Sequence, residues 1–296
     1  MTIHSNIGGK MLDLNDAFVR LEQATKQSIM LQNAFQEWAK EGGIQIVGER
    51  DPVYARFGWF VVMNKEPSEN LALLAGEICN NLRTALDYIA FQIYLAGGGD
   101  PSVKQAKSVA FPIVTEEERW AKAVKANIPV GWDEAIEKLL WCQPFVQLGQ
   151  ETTALPCLQG VGATDKHRSL VLYAMGILSI SGISPDLGED KGMIIMMVQP
   201  GPVVKLGEPQ LIGMVYVHKG EQPGMDDENL IPWSEGIELQ QPPPPQVTFG
   251  FRANDGSELS ADAIPALISY VKQILNRFAK LQVPAPQQQP TPAPTV

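Results

Sequence analysis

The chain has 296 residues, 45% of them hydrophobic, with a formal charge of -10 and a pI near 4.9. That size and apolar content support an ordinary folded core. The acidic balance excludes a general nucleic-acid surface, because sequence-independent phosphate binding draws on clustered Lys and Arg. No run reaches the roughly 20 apolar residues that a bilayer span requires, so no membrane association is expected. Cys79, Cys142 and Cys157 are widely spaced and odd in number, without a CxxC, which indicates neither a disulfide framework nor a zinc site. The opening MTIHSNIGGKMLDLND does not read as a secretory signal, and a cytoplasmic location is expected.

Taken in order, Leu14, Phe18, Leu21, Ser28 and Phe35 trace a helical stripe from about Asn15 to Lys40, with Asn15 or Asp13 as its cap. Gly42 and Gly43 stop it. Ile44 to Val47 and Arg56 to Met63, linked through Asp51 and Pro52, read as a β-hairpin near 44–63. The longest clean helical period follows, from Ser68 to Leu95, with Leu71, Leu74, Ile78, Leu82, Leu86, Ile89 and Ile93 on one stripe. Ser68 is the expected N-cap, and Gly97 to Gly99 end the helix. A loop then closes on Phe111, Pro112 and Ile113. A helix from Thr115 to Lys125 is expected behind a Thr115/Glu118 capping box, and another over Trp132 to Leu140, stopped by Pro144. A short helix is expected to open at Thr164 or Asp165.

Past Ile177, Met193 to Val198, Leu211 to Val217 and Val247 to Arg252 read as strands of an antiparallel sheet. An acidic loop around Asp226 to Glu228 and a polyproline spacer over Pro242 to Pro245 lie between the last two. An amphipathic helix over 262–280 closes this half, with Asp262 favoured over Ser260 as N-cap so that Pro265 falls in the first turn. The expected class is α+β: a mainly helical part over 1–180 carrying the hairpin, a β-rich part over 181–280, and a disordered Pro/Gln tail over 281–296.

Two polar constellations are candidate sites. The first is Asn80, Asn81, Arg83, Asp87 and Tyr88. Arg83 can hold a phosphate or carboxylate through its planar fork, oriented by Asp87. The same residues also read as an exposed i,i+4 ion pair on a solvated face, or as a structural polar network in which Asn81 and Arg83 pack against the β layer and cap loops. The second is Thr164, Asp165, Lys166, His167 and Arg168, after Gly160 and Gly162. A Gly-rich turn can present N–H groups to an anion, Lys166 and Arg168 add charge, and His167 is a candidate general base near neutral pH. Its structural counterpart is a helix start in which Asp165 caps or pairs with Arg168. Together the two make Arg83, Asp87 and His167 the candidate catalytic set, and Asn80, Asp165, Lys166 and Arg168 the candidate ligand set. No metal or cofactor is expected, since HExxH, GxSxG and phosphate-loop patterns are all missing.

Gly76 to Asp87 (GEICNNLRTALD), Phe111 to Ile113 (FPI), Gln143 to Phe145 (QPF) and Leu155 to Arg168 (LPCLQGVGATDKHR) resemble, in the same order, a group of uncharacterised bacterial proteins. The resemblance implies a bacterial source and one module holding both constellations, without implying an activity. Arg83 to Tyr88 is similar to the Arg-x4-His spacing of HEPN-type ribonucleases, with Tyr88 in place of the imidazole; a phenol titrating near 10 is a poor base at neutral pH. The expectation is a non-catalytic binding or interaction protein, with a protein among its expected partners. The alternative is a HEPN-like or other hydrolase acting on RNA through Arg83, Asp87 and the Asp165 to Arg168 turn.

Overall fold

The computed structural model describes residues 11–128, 132–146, 155–158, 171–177, 193–198, 204–218, 230–232, 246–252 and 258–283. The described chain is α+β with antiparallel sheets. It divides into two compact units, one from Met1–Gln27, Glu77–Ala163 and Pro265–Val296, the other from Ser28–Gly76 and Thr164–Ile264. The division is interleaved along the chain and does not fall near residue 180. Residues 1–10, the acidic loop, the polyproline tract and residues 284–296 lie outside the described residues.

Helices α1 (Asn15–Lys40) and α2 (Glu69–Ala96) supply residues to both units. Asp13 is the side chain that serves the start of α1, its Oδ1 accepting from the Asn15 N–H at 3.2 Å. The buried stripe of α1 is Leu14, Ala17, Leu21, Ala24, Ser28, Leu31 and Trp38; Phe18 and Phe35, expected on it, are half-buried at its edge. Both helices end alike. The N–H groups of Gly42 and Gly43 turn back to the carbonyls of Ala39 and Trp38, and those of Gly98 and Gly99 to Leu95 and Tyr94. Gly42 and Gly98 have φ of 80° and 88°, the left-handed region that favours glycine. At Gly43 and Gly99 a Cβ would run into the Trp38 and Tyr94 rings. Those aromatic tips are fixed in turn, Trp38 Nε1 donating to Lys65 O and Tyr94 OH to Asp100 O.

In the second unit, β1 (Ile44–Arg50) and β2 (Arg56–Met63) form the expected hairpin, with Ile44 opposite Met63. Asp51 holds its turn: Oδ1 accepts from the Val53 and Tyr54 N–H groups at 2.8 Å each, and Arg56 pairs with Oδ2. Strands β3 (Val171–Ile177), β4 (Met193–Val198), β5 (Gln210–His218), β6 (Gln246–Arg252) and β7 (Glu258–Ser260) follow. They make a four-stranded sheet of order β1-β2-β5-β4 and a three-stranded sheet of order β3-β6-β7. The hairpin thus shares a sheet with strands far along the chain and does not belong to a separate 1–180 part. The strand β3 falls within 1–180, where no strand beyond the hairpin was expected. A short continuous apolar run such as VLYAMGI has no period that separates strand from helix.

In the first unit a 3-10 turn over Glu117–Arg119 leads into α3 (Trp120–Asn127). No side chain caps that turn, so the expected Thr115/Glu118 box does not form. Helix α4 (Asp133–Trp141) buries Ala135 and Leu139. Helix α5 (Ala263–Phe278) has Pro265 in its first turn and buries Leu267, Val271, Ile274, Leu275 and Phe278 completely. It is tied to α4 by the Tyr270 hydroxyl donating to Cys142 O at 3.2 Å and by Arg277 lying 4.0 Å over the Trp141 ring. The start of the proposed tail is ordered: Leu281 is fully buried and Gln282 bridges to Met11. Among the described residues no helix is long and apolar enough to cross a membrane.

Candidate functional site

In the first unit α2 is surrounded rather than one-sided. Ile78, Cys79, Leu82, Ala85, Leu86, Ile89 and Ile93 are fully buried, and Asn81 is buried at 6% exposure. Arg83 and Asp87 therefore do not stand on a solvated face. Their side chains keep 20% and 35% exposure, because the segment Phe111 to Val114 comes down beside them.

The two residues grip both backbone groups of Phe111. Arg83 Nη2 donates to Phe111 O at 2.9 Å, and the Phe111 N–H donates to Asp87 Oδ1 at 2.8 Å. Arg83 also meets Asp87 directly, with Nε 3.2 Å from Oδ2 and Nη2 3.0 Å from Oδ1. Two residues further along, Gln143 continues the arrangement. Its side chain is completely buried; Nε2 donates to Pro112 O at 3.0 Å and Leu139 O at 2.8 Å, while Oε1 accepts from the Val114 N–H at 2.9 Å. A buried extended segment cannot hydrogen-bond to itself, so its polar backbone must be met by side chains. Arg83, Asp87 and Gln143 do this for Phe111, Pro112 and Val114. Burial pushes the Asp87 carboxyl above its ordinary value, against the opposing pull of Arg83 and the Phe111 N–H. Arg83 Nη1 is buried and has no hydrogen-bond partner among the described residues.

A different face of α2 is open. Glu77, Asn80, Asn81 and Tyr88 face Asp16, Arg20, Gln23 and Gln27 of α1 across a cleft of about 640 Å³. The spacings of four, three and four residues on α1 place its polar members on one side of the helix. A relay crosses the cleft: Arg20 Nη1 donates to Asn81 Oδ1 at 3.2 Å, Asn81 Nδ2 to Gln27 Oε1 at 2.8 Å, and Gln27 Nε2 to Glu77 Oε2. It runs from a cation to an anion, so each hydrogen bond polarises the next. Asn80 is exposed at its edge and Tyr88 half-buried.

Arg83 and Asp87 are thus brought together, and Asn80 is directed into the cleft. Asp165, Lys166, His167 and Arg168 lie outside the described residues. The Arg-x4-Tyr spacing does not converge here: five residues turn a helix by about 140°, and Tyr88 lines the cleft while Arg83 clasps Phe111. The α1 half of the cleft was missed at the level of sequence, although Asp16, Arg20, Gln23 and Gln27 carry a helical period of their own. The cysteines offer no nucleophile among the well-buried positions: burial raises the Cys142 thiol to about 12, and its Sγ donates to Lys138 O. Among the described residues no group of His, Cys, Asp and Glu is arranged to hold a metal ion. No family model, curated protein or solved structure matches the chain.

Proposed function

We propose that this is a non-catalytic binding protein of the bacterial cytoplasm, with the cleft between α1 and α2 as its ligand site. The observation that carries the reading is the engagement of Arg83 and Asp87. Both are engaged with the backbone of Phe111, which supports a structural role for them. The resemblance supports the same view. Its NNLR.ALD, FPI and QPF segments supply the clasp and the segment clasped, and the Leu155 and Leu158 of its last segment are buried. What this module leaves open to a ligand is a polar cleft with amides, a guanidinium, two carboxylates and a phenol, groups suited to a small polar molecule.

The hydrolase reading makes the opposite prediction, so one experiment separates them. Full-length protein incubated with single-stranded and structured RNA is expected to leave both intact. Cleavage by wild type that disappears in His167→Ala would overturn the binding reading. In a ligand-observed NMR screen of small polar metabolites, hits are expected to be lost in Arg20→Ala and Asn80→Ala while the fold remains. Hits indifferent to both substitutions would remove the cleft as the site.

A further inference from the structure

The second unit holds a cavity of another character, independent of the cleft. It encloses about 300 Å³ between α1, β6 and the turn leading into α5. Its apolar walls include Leu31, Phe35, Phe249, Phe251 and Ile264. Phe249 and Phe251 are two residues apart on β6 and so face the same side of the strand. Phe35 is braced by aromatic neighbours on both sides, its centroid 4.7 Å from Phe249 and 5.4 Å from Trp38. The rim is polar: Gln32, Gln36 and Asp262 are exposed where the cavity opens.

Asp262 is the one charged side chain among the described residues lining this cavity, and its carboxylate accepts no hydrogen bond from a described residue. Its backbone N–H donates to Ser260 Oγ at 3.3 Å. An apolar interior of about twice the volume of a 150 Å³ cavity that takes up benzene accommodates roughly ten to twelve heavy atoms. Ring faces carry negative potential and favour a cation, and the carboxylate at the mouth favours the same charge. A carboxylate ligand meets repulsion at that mouth, and a neutral ligand leaves Asp262 unused.

We propose that this cavity binds a small arylalkyl amine, with its ring among Phe35, Phe249 and Phe251 and its protonated amino group at Asp262. The two amides of the rim then accept the remaining N–H donors.

Isothermal titration of the full-length chain with 2-phenylethylamine, 2-phenylethanol and 3-phenylpropionate tests it. The amine is expected to bind about fivefold more tightly than the alcohol at low salt, as for one exposed ion pair and a ring contact, with the acid weakest. Asp262→Asn keeps the size of the side chain and removes its charge; it is expected to bring amine and alcohol within twofold of each other and to leave alcohol affinity unchanged. Ala261→Leu, which fills the cavity, is expected to weaken both ligands without lowering the melting temperature. Equal binding of amine and alcohol to wild type, an amine preference that survives Asp262→Asn, or no saturable binding of either would overturn the proposal.

Discussion

On one face of α2, Arg83 and Asp87 meet the backbone of Phe111; on another, Asn81 bonds directly to polar side chains of α1, and Asn80 and Tyr88 line the open cleft beside it. The residue types are alike, and the helix is the same. What differs is the partner. A buried backbone peptide has fixed donors and acceptors that must be satisfied, so the side chains meeting it have little freedom to bind anything else. Side chains facing one another across water can exchange partners, and a ligand can enter their network in place of solvent. The first face is thus built into the fold, and the second is the one proposed above for recognition.

Gln143 offers the strongest way to break it. Gln143→Leu is expected to lower unfolding free energy by about 3–4 kcal/mol in urea titrations, because it strands the Val114 N–H and the Pro112 carbonyl without partners. A loss under about 1 kcal/mol would mean that the segment is not held by this clasp. Next in size, Asp87→Ala is expected to cost about 2–3 kcal/mol by orphaning the Phe111 N–H and removing the counter-charge of Arg83. On the cleft side, Asn81→Leu is expected to cost about 1–2 kcal/mol, since it cuts the relay at a buried position. Asn80→Ala, at an exposed position on the same cleft, is expected to shift stability by no more than about 0.5 kcal/mol. If Asn80→Ala proves as costly as Asp87→Ala, the two faces are not distinct in kind.

Acid titration sharpens the same contrast. Burial raises the Asp87 carboxyl above its ordinary 3.8, so the folded chain binds that proton more tightly than the unfolded chain. This contribution is fully present below 3.8 and is lost as pH rises through the folded value. Asp51 is opposite. Burial works against its ionisation, but the Tyr54 and Val53 N–H groups and Arg56 together hold its carboxyl below 3.8. Its contribution is present above 3.8 and is lost as pH falls through the folded value. As pH is raised through 3.8, wild type is therefore expected to lose stability relative to Asp87→Asn and to gain it relative to Asp51→Asn, by chemical denaturation at each pH.

Much of the helical frame was legible in the residues themselves. The apolar period of Ser68 to Leu95 and the glycine pairs at Gly42/Gly43 and Gly98/Gly99 set the ends of α1 and α2 within about one residue, because a left-handed cap requires glycine there. The strands around Met193, Leu211 and Val247 were legible from short apolar runs bounded by Gly and Pro. Pairing was not. Nothing local in Arg56 to Met63 says that β2 lies beside β5, with Phe57 opposite Val215, since strand partners are chosen by burial across the whole chain. The strand Val171–Ile177 was hidden by its lack of period. Of the candidate site, the i,i+4 spacing of Arg83 and Asp87 correctly marked a pair, but its target, the peptide of Phe111, lies beyond the reach of helix spacing. Asn80 was identified without the α1 residues opposite it, whose own polar period was the signal available. The Asp165 to Arg168 turn lies outside the described residues.

The interleaving of the two units bears on how the chain is made. The first unit includes Glu77–Ala163 and Pro265–Val296, so α5 must leave the ribosome before that unit can close. At about 5–20 residues per second, roughly ten to thirty seconds of synthesis separate the end of α2 from the start of α5. Through that interval the nascent chain carries Ile78, Leu82, Leu86, Ile89 and Ile93, all fully buried in the finished fold, with their unit still incomplete. A growing chain of this kind is a natural client for chaperones that shield apolar helices during translation.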